Sequence, residues 1–202
     1  GTIRQYVSLF SDITALKAHE EELEHIAHYD VLTNLPNRAL LADRLNQNMA
    51  QALRRGKLLA VVFLDLDGFK TVNDTHGHAA GDQLLVILAT RMKQALRAGD
   101  TLARLGGDEF VAVLIDLDNR DVCQPMLRRM LDAAAEPVPF GAVTLQVSAS
   151  LGVTFYPQSV ELDADQLLRQ ADQAMYRAKL SGKNRCCVFD VHGPVSASSG
   201  EK

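Results

Sequence analysis

The chain has 202 residues, 47% of them hydrophobic and 23% charged, with a formal net charge of −4. That is enough for one domain of ordinary size plus an extension, with the composition of a globular protein. The mild acidity gives no basis for nucleic-acid or membrane-surface binding, no apolar run approaches the ~18 residues of a membrane span, and the start, GTIRQYVSLF, lacks the cationic region and long apolar core of a signal peptide.

Residues 2–11, TIRQYVSLFS, read as a strand without a nearby partner. Ser11 or Asp12 caps a helix that places Leu16, Leu23 and Ile26 on one side. Pairing as a coiled coil and packing on its own domain fit this short helix equally. HEEELEH is no metalloprotease motif, because Leu23 stands where the second His is needed. Pro36 and Asn37 open a helix to about Arg54, and KLLAVVFLDLDGF gives a buried strand over 58–66. NDTHGHAAGD reads as a polar loop, after which Asp82 starts a helix to about Leu96, striped by Leu84, Leu85, Leu88 and Met92. A hairpin follows at 101–105 and 109–115, then a helix at 120–135, strands at 138–140 and 143–155, a helix at 164–180, and RCCVFD as a closing strand. GPVSASSGEK is a polar tail or linker. Mixed hairpins and crossovers after residue 30 indicate an α+β sheet layered with helices.

Cys123, Cys186 and Cys187 form an odd set without a CxxC pair, which argues against a disulfide framework or zinc site and fits a reducing, cytoplasmic setting. A first residue of Gly rather than Met suggests a piece of a longer chain, with an upstream membrane anchor left open.

Two clusters of acids fall where buried strands end. Asp65 and Asp67 share a face if the strand persists to them. Asp108 and Glu109 follow the pair Gly106-Gly107, which suits a tight turn. If the strands are neighbours, Asp65 and Asp108 meet. Clustered carboxylates are costly to bury uncompensated, and a cation removes that cost. The donors are hard oxygens, which favours Mg²⁺ or Mn²⁺ and phosphoryl or nucleotidyl transfer. Lys70, and Lys179 with Lys183 four apart on one helical side, supply phosphate partners. No P-loop or GxGxxG occurs. Taken singly, each motif has an ordinary reading as a solvated turn or a wet helix face.

Together, DVLTNLPNR, FLDLDGFKTVNDTHGHAAGD, RLGGDEF and ADQAMYRAKLSGKNR resemble the GGDEF domain of the diguanylate cyclase family. The resemblance spans about 28–190, with the domain itself at 30–190, and implies a nucleotide-cyclase or palm-like fold, with a central, mostly antiparallel five-stranded sheet flanked by helices. It also implies Mg²⁺-dependent condensation of two GTP into cyclic di-GMP and pyrophosphate by a homodimer with one GTP per half-site. In that pattern Asp65, the Leu66 carbonyl and Asp108 hold the metal, and Asp108 or Glu109 takes the 3′-hydroxyl proton. Asn73 and Asp82 read guanine; Phe69, Lys70, Gly106, Gly107, Lys179 and Lys183 lie around the substrate. Lys183 stands where the family often has Arg, so charge is kept and bidentate geometry lost. The histidines His76 and His78 receive no ligand role.

Arg97 and Asp100 have two compatible readings. Arg97 suits the negative end of a helix that Gly99 stops. The resemblance makes the same RxxD, five residues before the Gly pair, an inhibitory site for the product cyclic di-GMP. Residues 1–11 resemble the last strand of a PAS sensor domain and 12–29 its signalling helix, implying an upstream sensor partner, with a phosphodiesterase domain possible downstream. The competing function is a catalytically silent module that binds GTP or cyclic di-GMP. The intact set Asp65, Gly106, Gly107, Asp108 and Glu109 favours the enzyme.

Overall fold

The structure, a computed structural model, describes residues 14–190. The strand expected at 2–11, its helix cap and the tail at 191–202 lie outside them.

Helix α1 (Thr14–His28) leaves Leu23 and Ile26 about half exposed. Helix α2 (Arg38–Arg55) begins where expected: the Asn37 side chain accepts from the Ala39 and Leu40 N–H groups. The strands are β1 (Leu58–Asp67), β2 (Thr101–Gly106), β3 (Glu109–Leu117), β4 (Val138–Phe140), β5 (Val143–Leu145), β6 (Ser148–Tyr156) and β7 (Arg185–Val188). Five of them form one sheet in the order β2-β3-β1-β6-β7, antiparallel except for β6 beside β7. The fold is α+β, as expected.

Strand alternation sorts the β1 side chains into two cores. Ala60, Val62, Leu64 and Leu66 face a core closed by helix α4 (His78–Gln94) and helix α5 (Gln124–Ala135). Leu59, Val61 and Phe63 face a second core closed by α2 and helix α6 (Ala164–Leu180). Alternation then carries Asp65 and Asp67 onto the α2/α6 side. Gly152 lets α6 press onto β6, because a Cβ there would stand 2.0 Å from the Ala171 carbonyl oxygen. That contact seats the end of α6 over the end of β1.

Several expectations need correction. The segment read as a polar loop is mostly helical: α3 (Phe69–His76) precedes Gly77, and α4 starts at His78, four residues before Asp82. Burial of Phe69, Val72 and Ala80 outweighs the weak helix propensities of Thr, Asn and Asp. Asp82 is therefore exposed inside α4 and caps nothing, and Asn73 lies on a helix. α4 stops at Gln94 with Ala95 as its cap, so Gly99 is not the stop. The strand expected over 143–155 is two strands serving two sheets: β5 pairs with β4 in a separate ribbon, and β6 joins the main sheet. In the hairpin, Gly106 pairs with Glu109, so the two-residue turn is Gly107-Asp108, and Leu105 is an extra residue in β2. Lys183 does not share a helical face with Lys179; it lies beyond the end of α6 with φ 60°.

Candidate active site

The acids converge at the end of β1. In the β1/β3 ladder Asp65 stands directly opposite Glu109, and the Leu66 N–H donates to the Asp108 carbonyl oxygen at 3.3 Å. The turn that carries Asp108 is thereby drawn against Asp65. Like charges directly opposed in a ladder destabilise it by roughly 0.2–1 kcal/mol. Here the fold tolerates such a pair. The Lys179 ammonium of α6 offsets part of the charge, 2.7 Å from Asp65 Oδ1.

Asp65 and Asp67 are equally buried and differ in their partners. Asp67 accepts from the Ser148 and Ser150 hydroxyls, both at 2.8 Å, and from the Asn184 N–H at 3.2 Å. It ties β1, β6 and the α6–β7 turn together. Burial pushes the Asp65 carboxyl above its ordinary value, Lys179 opposes the shift, and Asp108 and Asp67 add to it. Burial likewise raises Glu109, reinforced by Asp65, Asp108 and Asp172 and opposed by Arg38. Glu109 also lines a hollow of about 330 Å³ with Arg38, Arg169 and Asp172.

Arg104 holds the turn from below, and sequence reasoning missed it. Its Nε and Nη2 donate to the Gly107 carbonyl oxygen at 3.0 and 2.8 Å, and its Nη1 donates to both Asp30 oxygens at 2.8 and 3.0 Å. Asp30 and Arg104 are 74 residues apart, so no local pattern pairs them. Burial would raise the Asp30 carboxyl, but hydrogen bonds from Thr33 and Arg104 outweigh it and hold it below its ordinary value.

Phe69 and Lys70 open α3 straight after β1, so their N–H groups belong to a helix N-terminus, where anions are favoured. Lys70, Asp82 and Lys183 are exposed, and Asn73 is half-buried on α3 beside α4. Gly106 and Gly107 are exposed at the hairpin tip. The structure thus joins Asp65, Asp108, Glu109 and Lys179 through contacts or charge coupling.

Arg97 and Asp100 lie at the other end of β2. The Arg97 N–H donates to Asp100 Oδ2 at 3.0 Å, and the Ile115 N–H donates to Asp100 Oδ1 at 3.1 Å. The Arg97 side chain is exposed. It borders a cavity of about 250 Å³ shared with Tyr29, Arg44, Lys93 and Asp100. Tyr29, which stacks on His25 with ring centroids 4.6 Å apart, is a lining residue the sequence did not suggest.

A family profile described as "Diguanylate cyclase, GGDEF domain" matches residues 27–185. The chain belongs to this family. It is 42% identical over 177 residues to the bifunctional diguanylate cyclase/cyclic di-GMP phosphodiesterase MucR of Pseudomonas aeruginosa, covering 88% of this chain and 26% of that protein. It is 40% identical over 179 residues to the diguanylate cyclase DgcP of the same organism, with the same coverage of each. The chain therefore spans about a quarter of the length of these relatives. Among solved structures, the GGDEF domain of TpbB from P. aeruginosa superposes with a TM-score of 0.78 at 36% identity, covering 82% of this chain and 96% of that one. The coiled coil and GGDEF domain of DgcB from Caulobacter crescentus, in complex with c-di-GMP, gives 0.78 at 26% identity, covering 87% and 93%.

The GGDEF neighbours share the α+β sheet. Among the described residues, no three His, Cys, Asp or Glu side chains gather as a metal cage. The candidate set is two carboxylates, Asp65 and Asp108, with the Leu66 carbonyl. These hard oxygens suit Mg²⁺ or Mn²⁺, and a cation would favour the charged form of the Asp65 carboxyl, which burial, with Asp108 and Asp67 nearby, disfavours.

Proposed function

We propose that this chain is the diguanylate cyclase domain of a larger signalling protein, active as a homodimer in which each copy holds one GTP. The convergence of Asp65, Asp108 and Glu109 at the end of β1, with Lys179 on Asp65, carries this reading. Each 3′-hydroxyl attacks the α-phosphorus of the other GTP; a P–O ester bond forms, the α–β anhydride bond breaks, and pyrophosphate leaves. Two such steps give cyclic di-GMP.

Asp65, Asp108 and the Leu66 carbonyl would hold Mg²⁺, which neutralises charge on the phosphate oxygens when bound. The 3′-hydroxyl proton passes to Asp108 or Glu109, and the raised Glu109 carboxyl makes it a better proton acceptor than an exposed glutamate. Arg104 keeps the turn in place for that transfer. Lys70, Lys179, Lys183 and the first N–H groups of α3 take the phosphates. Asp82 accepts from the guanine N1–H and amino group, and Asn73 meets the same base edge; adenine lacks that donor pair. Arg97 and Asp100 bind cyclic di-GMP as an inhibitor. The bifunctional relative MucR supports a phosphodiesterase domain elsewhere in the longer protein, placed downstream in this reading. The resemblance of residues 1–29 to a PAS strand and signalling helix supports an upstream sensor acting through α1.

The test is to force dimerisation with a fused coiled coil and supply GTP and Mg²⁺. Cyclic di-GMP and pyrophosphate should accumulate in a 1:2 ratio. GTP binding without product in the dimerised protein would support the silent-module reading instead.

A further inference from the structure

Two local irregularities meet at the corner between α3 and α4. Asn73 Oδ1 is buried without a hydrogen-bond partner, a rare state in folded proteins. Opposite it, Gly81 is buried inside α4, where alanine would be a much better helix former. Unlike Gly77, with φ 82°, Gly81 has no positive φ to require a glycine. Backbone conformation therefore does not explain its presence.

Space explains it. A Cβ on Gly81 would lie 1.9 Å from Asn73 Oδ1 and 2.9 Å from its Cγ, far inside contact distance. It would also stand 3.2 Å from Phe69 Cζ. The missing methyl group is the space in which the Asn73 amide rests. With Oδ1 turned inward, Nδ2 is the end left free for a ligand; among the described residues it donates no hydrogen bond.

We infer that Gly81 is a positioning residue for nucleotide specificity: its bare α-carbon sets the direction of the Asn73 amide toward the bound base. This rests on the reading above, in which Asn73 and Asp82 receive guanine. Two irregularities that explain each other mark a functional constraint better than either alone. Gly81 also directly precedes Asp82, so one segment of α4 carries the base acceptor and seats its companion.

The experiment compares wild type, Gly81→Ala, Asn73→Ala and the double variant. Affinities for a non-reactive GTP analogue and for the matching ATP analogue are measured by calorimetry, with melting temperatures alongside. Gly81→Ala should weaken the GTP analogue about tenfold, the size of one lost hydrogen bond, and leave the ATP analogue unchanged. The double variant should bind no worse than Asn73→Ala, because both changes remove the same contact. Should Gly81→Ala melt early, the double variant, lacking the clashing amide, should regain the wild-type melting temperature. Unchanged GTP binding in a folded Gly81→Ala protein overturns the inference. So do multiplying losses in the double variant, or a double variant that also fails to fold. A wild type without preference for the GTP analogue overturns the guanine reading itself, a different result from wild-type discrimination that Gly81→Ala leaves intact.

Discussion

The two ends of β2 treat their acids differently. At one end, both Asp100 oxygens are taken by main-chain N–H groups, of Arg97 and of Ile115, and the turn closes on itself. At the other end, Asp108 and Glu109 are brought beside Asp65, Asp65 and Glu109 are both raised, and Lys179 offsets only part of the charge. An acid whose oxygens are satisfied within the fold has a sufficient structural role. A functional role for it needs outside support, here the RxxD resemblance. Acids that the fold leaves in mutual repulsion have no such role, and their placement itself argues for chemistry.

The largest expected effect lies at the hairpin. Asp108→Ala should lower cyclic di-GMP formation from GTP and Mg²⁺ more than about 100-fold, read by chromatography, with little change in the urea midpoint. Wild-type turnover by this variant would break the contrast between the two ends.

Removing the support of the hairpin comes next. Arg104→Ala removes the Arg104 donors of the Gly107 carbonyl and leaves Asp30 with Thr33 but no cation, and should cost about 2–4 kcal/mol in urea unfolding, with activity falling as the turn loosens. The pH dependence follows from Asp30. Its folded value is lowered below the ordinary 3.8, so its stabilisation is present above 3.8 and is lost as pH falls through the folded value. Asp30→Asn should flatten that part of the acid-unfolding curve.

The neighbouring pair on β1 sharpens the comparison. Asp67→Ala strands two serine hydroxyls and one N–H and should cost about 2–3 kcal/mol. Asp65→Asn relieves repulsion and should cost nothing measurable. Asp65 and Glu109, being raised, act opposite to Asp30. What they contribute is present below their ordinary values, 3.8 and 4.5, and declines as pH rises through the folded values. Added Mg²⁺ should reduce that decline.

The smallest effects belong to the other turn. Asp100→Ala should cost about 1 kcal/mol, through two unpaired N–H groups. Arg97→Ala should stay within about 0.5 kcal/mol of wild type and still weaken inhibition by cyclic di-GMP about tenfold, measured by progress curves.

These contrasts also mark what the sequence could tell. The apolar run KLLAVVFLDLD identified the central strand, and its period of two placed Asp65 and Asp67 on one face, as the structure has it. The hairpin acids were legible because two short strands flank a Gly pair. The FKTVNDTH segment was not, since its helix owes more to burial of Phe69 and Val72 than to propensity. Asp82 was read as the start of the helix because the N-cap of α4, Gly77, offers no capping side chain to mark the true start at His78. Lys183 was misplaced because a spacing of four implies one face only while a helix continues, and α6 ends at Leu180. Arg104 stayed hidden because its partner is remote in the chain.

The most direct test is cyclic di-GMP formation by Asp65→Asn, assayed on protein whose urea midpoint is known. The account predicts a protein at least as stable as wild type that makes no product. An Asp65→Asn protein that turns over GTP at the wild-type rate would contradict it.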